Sequence, residues 1–147
     1  MTSDHLIALA GNPNSGKSTL FSEMTGMRQQ VANYPGVTVE KKVGVAVCDG
    51  AQLRIVDLPG TYSLVANSPE EAVARHFLMN EHPDVIIAVV DASNLERHLY
   101  LAIQLMELRV PMVLALNMAD VARKDGIVID REALQNRLGL PIVETVG

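Results

Sequence analysis

Residue types with a recognisable chemistry are concentrated near the start of the chain, in the stretch GNPNSGKST at Gly11–Thr19. Its spacing, Gly11-x-x-x-x-Gly16-Lys17-Ser18, is the phosphate-loop pattern, in which glycines let backbone N–H groups turn toward a phosphate chain. The helix predicted to follow points its N-terminus at the same anion. A glycine-rich turn ahead of a helix is the competing interpretation, and the buried strand predicted before the loop disfavours it.

The phosphate-loop interpretation gives two side chains a role. We expect Lys17 to reach the β- and γ-phosphates of a nucleotide and Ser18 to ligate Mg²⁺. For the Asn12 side chain we expect only local hydrogen bonding within the turn. The residues of the loop expected to bind nucleotide are Gly11, Asn12, Pro13, Asn14, Ser15, Gly16, Lys17, Ser18 and Thr19.

A second motif, Asp57-Leu58-Pro59-Gly60, ends another predicted strand. Ligands of parallel sheets sit beyond the carboxyl ends of the strands, so this position suits a nucleotide. We expect Asp57 to hold Mg²⁺ through a water and the Gly60 N–H to meet the γ-phosphate. Taken alone, Asp-x-Pro-Gly is more often a plain turn.

The third motif lies in LALNMAD, where Asn117 and Asp120 follow a buried strand. A carboxylate at Asp120 can accept hydrogen bonds from guanine N1–H and the N2 amino group. Adenine offers neither donor there, and sites of this kind reject the wrong ligand by about 10⁴ or more. Because three motifs occur in order, each at a strand end, the sequence predicts a guanine-nucleotide site.

The segment from 28 to 36 is the longest predicted loop, and long loops are often functional. Thr38 is the only threonine between this loop and the next strand. We expect its hydroxyl to bind Mg²⁺ and its N–H to bind the γ-phosphate, with Gly36 and Val37 beside the nucleotide. The segment would then become ordered with a triphosphate and loosen after hydrolysis.

Composition limits the class of protein. The chain has 147 residues, 48% of them hydrophobic and 20% charged, which is ordinary for one globular domain. A net charge of -5 argues against nucleic acid or an anionic membrane as the main partner. The single cysteine, Cys48, fits a reducing cytosol, and the longest apolar run, 85–90, is too short to span a bilayer. The chain as given is therefore expected to be soluble and cytosolic.

Strands and helices alternate along the chain, which predicts a doubly wound α/β sheet with helices on both faces. Asp49-Gly50 is a hairpin signal, so its two flanking strands should be antiparallel within a mostly parallel, six-stranded sheet. The predicted strands are 6–10, 37–48, 51–58, 84–91, 111–117 and 141–146, and the predicted helices are 17–25, 69–80, 95–108 and 130–138.

Four stretches, GNPNSGKSTLF, NYPGVTVE, DLPGTYSL and DASNLERHLYL, resemble a GTPase of the Ras-like superclass. Together they resemble more closely the N-terminal G domain of the FeoB family of bacterial ferrous iron transport proteins. The resemblance implies a Ras-like P-loop GTPase fold that binds GTP and GDP. It also implies a larger membrane protein at the cytoplasmic face of the inner membrane, in which a helical domain and a transmembrane iron permease domain follow. Small accessory proteins of the iron transport system would be further partners.

The sequence departs from the pattern of this superclass in two places. Met118 stands where many GTPases place a lysine. The final base-binding loop would include Thr145 and would place Val146-Gly147 where a Ser-Ala pair is usual. The superclass normally adds one more helix after this loop. We therefore expect residues 1–147 to be one G domain that ends before its final helix, with a flank of its sheet uncovered.

Hydrolysis of GTP is expected to be slow. The position after Gly60 usually holds a glutamine that orients the attacking water, and here it is Thr61. The segment 31–37 contains no arginine, and an arginine finger alone contributes about 10³–10⁵ in rate.

Resemblance to potassium-activated GTPases gives Asn14 a role as a ligand of K⁺, with backbone carbonyls from the 33–36 region. The ion would stabilise developing charge where an arginine finger otherwise reaches. Local turn hydrogen bonding is the alternative for Asn14. The residues expected to take part in catalysis are Asn14, Lys17, Thr38 and Gly60.

These observations predict a GTP-hydrolysing switch that regulates or drives ferrous iron uptake. One alternative is a guanine-nucleotide binding module whose hydrolysis is incidental, which Thr61 and the missing arginine favour. The other is a GTPase associated with the ribosome or tRNA, against which the net charge of -5 counts.

Overall fold

The computed structural model describes residues 4–65 and 67–146. A single sheet of seven strands, in the order β2-β3-β4-β1-β5-β6-β7, forms the centre of the molecule. A single 3₁₀ turn, Ala92–Asn94, precedes the third helix. The elements in chain order are β1 (Asp4–Gly11), α1 (Lys17–Thr25), β2 (Gln29–Asn33), β3 (Glu40–Cys48), β4 (Ala51–Asp57), α2 (Pro69–Asn80), β5 (Val85–Asp91), α3 (Leu95–Met106), β6 (Met112–Asn117), α4 (Ala119–Lys124), α5 (Arg131–Leu138) and β7 (Ile142–Glu144).

The sheet is mostly parallel, as the sequence predicts. Strand β1 runs parallel to β4 on one side and to β5 on the other, and β5, β6 and β7 continue in the same sense. Strand β3 is antiparallel to both β4 and β2. The predicted hairpin at Asp49-Gly50 is confirmed, because Cys48 and Ala51 face each other across it.

The sheet has one strand more than the six that the sequence predicts. Strand β2 lies in the segment predicted as a long loop, and it pairs with β3 from Gln29 opposite Gly44 to Asn33 opposite Glu40. Nearly all of its residues are exposed at the sheet edge, so it lacks the alternating apolar pattern by which strands are recognised. The strand predicted from 37 begins only at Glu40, and the short helix α4 was not predicted.

Apolar residues are buried on both faces of the sheet, which confirms the two helical layers. Helix α1 covers one face, where Phe21 packs with Leu9 and Ile55. Helices α2 and α3 cover the other, where Phe77 and Leu105 belong to the larger core cluster. Gly44 allows the close approach of α1 to β3, because a Cβ there would lie 2.3 Å from Thr25 Cγ2.

The predicted start of α2 is confirmed in detail. The Ser68 hydroxyl accepts a hydrogen bond from the Glu71 N–H at 3.2 Å, and Pro69 lies in the first turn. The C-terminal end of α5 is also as predicted, at Gly139 with a φ of 71°. Within the described residues, no helix has both the length and the apolar character needed to cross a membrane.

Candidate functional site

The motifs singled out in the sequence lie at neighbouring strand ends. The strands that carry them are adjacent in the order β4-β1-β5-β6 and all run parallel. In register, Leu9 is opposite Asp57, and Asp91 is opposite Asn117. The loop after β1, the end of β4 and the end of β6 therefore meet at the carboxyl edge of the sheet, the edge where ligands of such sheets bind.

The loop from Gly11 to Gly16 turns sharply before α1 begins at Lys17. Asn14 and Gly16 have left-handed backbone conformations, with φ values of 67° and 87°. The Ser15 N–H donates to the Asn12 carbonyl oxygen at 3.2 Å, which closes the turn. No side chain caps the N-terminus of α1 and no acidic residue lies in its first turn. The partial positive charge of that helix end is therefore not compensated by a capping side chain or by an acidic residue of the helix itself.

Both glycines of the loop are required by close packing. A Cβ at Gly11 would lie 2.7 Å from the Val89 carbonyl oxygen, and one at Gly16 would lie 2.2 Å from Asn117 Nδ2. The backbone of the loop is therefore pressed against the ends of β5 and β6. Such packing is more than a simple turn before a helix needs, so it favours the phosphate-loop interpretation.

Lys17 and Asp57 form a buried ion pair at the centre of the site. Lys17 Nζ contacts Asp57 Oδ1 and also donates to the Leu58 carbonyl oxygen at 2.7 Å. The exposed fractions of the two side chains are only 8% and 5%. The sequence predicted a role for each residue but did not predict their pairing, since they are 40 positions apart. These two partners use two of the three donors of the Lys17 ammonium group.

The segment that begins at Gly60 is packed against the phosphate loop. A Cβ at Gly60 would lie 3.1 Å from Pro13 Cα and N, so the two backbones touch. The Thr61 N–H donates to the Gly11 carbonyl oxygen at 3.1 Å, and Thr61 is buried. The sequence motifs gave no signal of these contacts, which fix the end of the DLPG motif beside the loop.

Asn117, at the end of β6, connects two loops to that strand. It is fully buried; its Nδ2 donates to the Ser15 carbonyl oxygen at 3.0 Å, and its Oδ1 accepts from Thr145 Oγ1 at 2.9 Å. The Thr145 N–H in turn donates to the Leu116 carbonyl oxygen at 3.0 Å. Asn117 thus holds the phosphate loop and the end of β7 in a fixed relation to β6.

Asp120 is exposed in the first turn of α4, and its side chain makes no hydrogen bond within the described residues. Met118 precedes α4 in a left-handed conformation, with a φ of 58°, and its Cε lies 3.4 Å from where a Cβ of Gly16 would be. Val146 is exposed, whereas Gly147 lies outside the described residues. The Asp120 carboxylate is therefore accessible to a ligand.

The loop between β2 and β3 holds the predicted Mg²⁺ ligand Thr38. Gly36, Val37 and Thr38 are exposed on a turn, in which the Val37 N–H donates to the Tyr34 carbonyl oxygen at 3.3 Å. Across the 4–65 and 67–146 ranges, no hydrogen bond joins Thr38 to the phosphate loop or to Asp57. Thr38 is thus free of protein hydrogen bonds to these groups, and its role as a Mg²⁺ ligand stays a prediction.

Tyr34 lies at the start of that turn and lines a cavity that α2 also lines. Its hydroxyl is buried and has no hydrogen-bond partner among the described residues, and Lys41 Nζ lies 5.6 Å from the centre of its ring. Burial raises the pKa of Tyr34 to about 12, with smaller contributions from the charges of Asp57 and Glu81. A cavity of about 490 Å³ separates the turn from α2, with Phe77 in its wall.

The two asparagines of the phosphate loop differ. The Asn14 side chain is exposed and makes no hydrogen bond within the described part of the chain, which gives no support to the turn alternative. The Asn12 side chain is buried, and neither of its polar atoms has a partner there. The predicted hydrogen bonding of the Asn12 side chain is therefore wrong; only its backbone oxygen bonds within the turn, because the amide is turned into the protein.

Helix α3 contributes residues that the sequence analysis missed. Arg97 Cζ lies 5.1 Å from the centre of the Tyr62 ring, and Gln104 Oε1 accepts a hydrogen bond from the Leu64 N–H at 2.7 Å. His98 Nδ1 accepts from the Asp91 N–H at 3.2 Å, and burial lowers the pKa of His98 against an opposing effect of Asp91. The stretch DASNLERHLYL marked this helix as a family pattern but did not reveal its contacts.

Comparison with known protein families gives one match over almost the entire chain. Residues 5–147 match the model of a family described as ferrous iron transport protein B. The chain is 52% identical over 145 residues to the Fe(2+) transporter FeoB of Salmonella typhimurium and 51% identical to that of Escherichia coli K12. These matches cover 96% of this chain but only 19% of the length of either relative.

Solved structures agree with this match. The chain is similar to the G domain of the T. maritima FeoB iron transporter, with a TM-score of 0.91 and 45% identity over 97% of this chain and 87% of that one. It is also similar to the cytosolic domain of T. maritima FeoB in a GDP form, with a TM-score of 0.92 and 44% identity over 97% of this chain and 56% of that one. The Ras-like P-loop GTPase fold predicted from the sequence is thereby confirmed.

Proposed function

Because the chain belongs to the ferrous iron transport protein B family, we propose that it is a guanine-nucleotide switch that binds GTP and slowly hydrolyses it to GDP and phosphate. In the full-length protein this switch regulates or drives ferrous iron uptake at the cytoplasmic face of the inner membrane. Its partners are the transmembrane permease domain and the small accessory proteins of the system. The observation that carries the proposal is the meeting of the three motif loops around Lys17 and Asp57 at one edge of the sheet.

The nucleotide phosphates bind in the loop before α1. The free N–H groups at the start of α1, including those of Ser18 and Thr19, face the anion with the helix dipole behind them. Lys17 leaves Asp57 and the Leu58 carbonyl oxygen and takes a phosphate oxygen as its partner. Its buried position supports this exchange, since a charge with little access to water interacts strongly with whichever anion is present.

The guanine base binds at the end of β6. The exposed Asp120 carboxylate accepts hydrogen bonds from N1–H and the N2 amino group. Asn117, which is already committed to Ser15 and Thr145, sets the distance between the base site and the phosphate loop. Thr145, Val146 and Gly147 complete the edge of the base pocket, and Met118 packs beside it.

The residues present fit a Mg²⁺ ion at the phosphates. Mg²⁺ prefers hard oxygen ligands and keeps several waters, so one carboxylate and two hydroxyls are a suitable protein contribution. The Ser18 side chain is exposed at the start of α1, and Asp57 lies next to Lys17. Thr38 would join them by a movement of the β2–β3 turn. Bound there, Mg²⁺ neutralises charge on the β- and γ-phosphates.

Asn14 fits a K⁺ site beside the nucleotide. Its side chain is exposed and free of hydrogen bonds to the rest of the described chain, so its carbonyl oxygen can accept a cation. Backbone carbonyl oxygens of residues 33–36 lie in the same movable turn as Thr38. When bound, K⁺ supplies positive charge where negative charge develops during hydrolysis.

Two neighbouring residues, Gly60 and Thr61, bear on the rate of GTP hydrolysis. The Gly60 N–H is the group proposed to contact the γ-phosphate. Thr61 cannot replace a glutamine, because its hydroxyl is short and the residue is buried with its N–H donating to Gly11. That same observation favours the alternative in which hydrolysis is incidental and the domain signals through loop order alone.

Phosphate release from GTP and from ATP, measured in Mg²⁺ with excess chain, tests the proposal. We expect slow release from GTP and none above background from ATP. Competition by GDP, with ADP as the control, gives the binding preference in the same experiment. Equal affinity for GDP and ADP would contradict the guanine site, and GDP binding without any phosphate release would favour the binding-module alternative.

A further inference from the structure

We propose that helix α3 positions the segment 61–65 for hydrolysis, through Arg97 stacked on Tyr62 and Gln104 bonded to the backbone of Leu64. This inference rests on the proposed function, because it assigns a rate-setting contact to the same GTP site. Among the contacts of residues 4–65 and 67–146, neither side chain bonds to the phosphate loop, so both act as positioning residues and not as catalytic ones.

The two contacts come from one face of one helix. Arg97 and Gln104 are seven residues apart, which is close to two turns of α3, so they project on the same side. Leu101 lies between them on that side and is buried in the core. The two polar side chains therefore stand on a part of the helix whose position is fixed by packing.

The geometry of both contacts is specific. The Arg97 guanidinium carbon lies 5.1 Å from the centre of the Tyr62 ring, within the range of a cation–π interaction. The Leu64 N–H donates to Gln104 Oε1 at 2.7 Å, and this group is partly buried. A partly buried backbone N–H that loses its acceptor is costly, so Gln104 limits the conformations open to Leu64.

The opposite end of the segment is held by the phosphate loop. Gly60 touches Pro13, and the Thr61 N–H donates to the Gly11 carbonyl oxygen at 3.1 Å. Segment 61–65 is thus fixed at its start by the nucleotide-binding loop and along its length by α3. Release of the α3 contacts leaves the Gly60 N–H attached to a segment with more freedom, which costs pre-organisation at the γ-phosphate.

The expected effect falls on hydrolysis and not on binding of the diphosphate. GDP has no γ-phosphate, and neither α3 residue approaches the base-binding residues Asn117 and Asp120 in any described contact. An exposed cation–π pair and a single neutral hydrogen bond are each of modest strength, so each loss should lower the rate by roughly two- to ten-fold.

Single-turnover phosphate release and GDP affinity, measured on the same variants, test the proposal. Arg97→Met and Tyr62→Leu should each lower the rate two- to ten-fold without changing GDP affinity, and the double variant should be no slower than the slower single one. Tyr62→Phe keeps the ring and should retain the rate. Gln104→Leu should lower it by a similar factor.

Matched controls exist on α5, away from the segment. Gln135 Oε1 accepts a hydrogen bond from the Ile142 N–H at 3.1 Å, so Gln135→Leu removes the same kind of contact as Gln104→Leu. Arg137→Met removes an exposed arginine of the last turn of α5. Both controls should hydrolyse GTP at the wild-type rate. The proposal would be overturned if Arg97→Met and Gln104→Leu also hydrolysed GTP at the wild-type rate. It would equally be overturned if they lost GDP affinity in parallel with the rate.

Amide hydrogen exchange of the nucleotide-free chain adds a readout that does not depend on activity. Arg97→Met and Gln104→Leu should speed exchange in 61–65, whereas the two controls should not. Unchanged exchange there would overturn the anchoring. Failure of the wild type to hydrolyse GTP would instead overturn the proposed function, and the two failures are therefore distinguishable.

Discussion

The phosphate loop and the turn between β2 and β3 are both expected to contact the same nucleotide, yet they are built in opposite ways. The loop is pressed against β5 and β6 and is tied by Asn117. The turn is largely exposed and lies on an edge hairpin, with Val39 buried at its end and the Tyr34 N–H donating to the Val39 carbonyl oxygen at 2.9 Å. We propose that residues 11–19 are a preformed half that recognises any guanine nucleotide, and that residues 34–39 are a movable half that distinguishes the triphosphate.

The largest expected effect concerns nucleotide choice in the preformed half. Asp120→Asn removes a charged acceptor of two hydrogen bonds, each contributing roughly 1.5–3 kcal/mol, so GDP affinity should fall by about 10²–10⁴. Xanthine nucleotides should gain relative to guanine ones, since an amide can donate to the xanthine C2 carbonyl. Competition between GDP and XDP measures this change.

Asp125→Asn is the control, because it lies just past the end of α4 and outside the proposed base site. A persistent strong preference for GDP over XDP in Asp120→Asn would mean that the base is read elsewhere.

The second expected effect is on folding. Lys17→Met leaves Asp57 as a buried carboxylate without its partner, so the free energy of unfolding should fall by about 3–5 kcal/mol. The partly exposed pair of Lys42 and Glu40 on β3, at 3.8 Å, is the contrast, and Lys42→Met should cost about 0–1 kcal/mol. Urea unfolding of the nucleotide-free chain measures both values.

The double variant Lys17→Met/Asp57→Asn should recover much of the lost stability, because the uncompensated charge is gone. Equal costs for Lys17→Met and Lys42→Met would show that the pair at the centre of the site contributes no more than a surface contact.

The third prediction concerns Asn14 of the phosphate loop, the proposed ligand of K⁺. Asn14→Ala should abolish stimulation of hydrolysis by potassium, because the cation acts where charge develops in the transition state. GDP affinity should stay within about two-fold of wild type. Asn136→Ala, an exposed change on α5, serves as the control, and rates that are equal in sodium and potassium for the wild type would remove the basis of the prediction.

The smallest expected effect lies at Tyr34. Its pKa is about 12 in the folded chain and 10.0 is the ordinary value, so the unfolded state loses this proton first as pH rises. Stability associated with the neutral hydroxyl is therefore complete below about pH 10 and is lost between pH 10 and 12. Tyr34→Phe should lose less stability across that window in urea unfolding.

The same variant should be at least as stable as wild type at neutral pH, since it removes a buried hydroxyl that has no partner within the described residues. If the free energy of unfolding of wild type and of Tyr34→Phe fell equally above pH 10, the pKa of Tyr34 would not be raised in the folded chain.

The sequence predicted the preformed half better than the movable one, for a physical reason. The spacing of Gly11, Gly16 and Lys17 is local in the sequence, and the apolar strand before the loop is recognisable by composition. The ties that fix the loop are not local: Asn117 and Ser15 are 102 positions apart, and Lys17 and Asp57 are 40 apart. A residue type alone does not reveal such a partner.

Strand β2 lies in a segment that was wrongly predicted as a loop. Its residues from Gln29 to Asn33 are almost all exposed, so their pairing depends on β3 and not on a buried face. The contacts of Arg97 and Gln104 with the segment after Gly60 were missed for a similar reason, because they join a helix to a loop that lies more than thirty positions earlier.

Amide hydrogen exchange with GDP and with a non-hydrolysable GTP analogue, both in Mg²⁺, tests the contrast between the two halves most directly. Residues 11–19 should be protected to a similar degree by both nucleotides. Residues 34–39 should be protected by the triphosphate analogue and should exchange with GDP as they do without nucleotide. Equal protection of residues 34–39 by GDP and the analogue would contradict the account, because the turn would then not distinguish the two nucleotides.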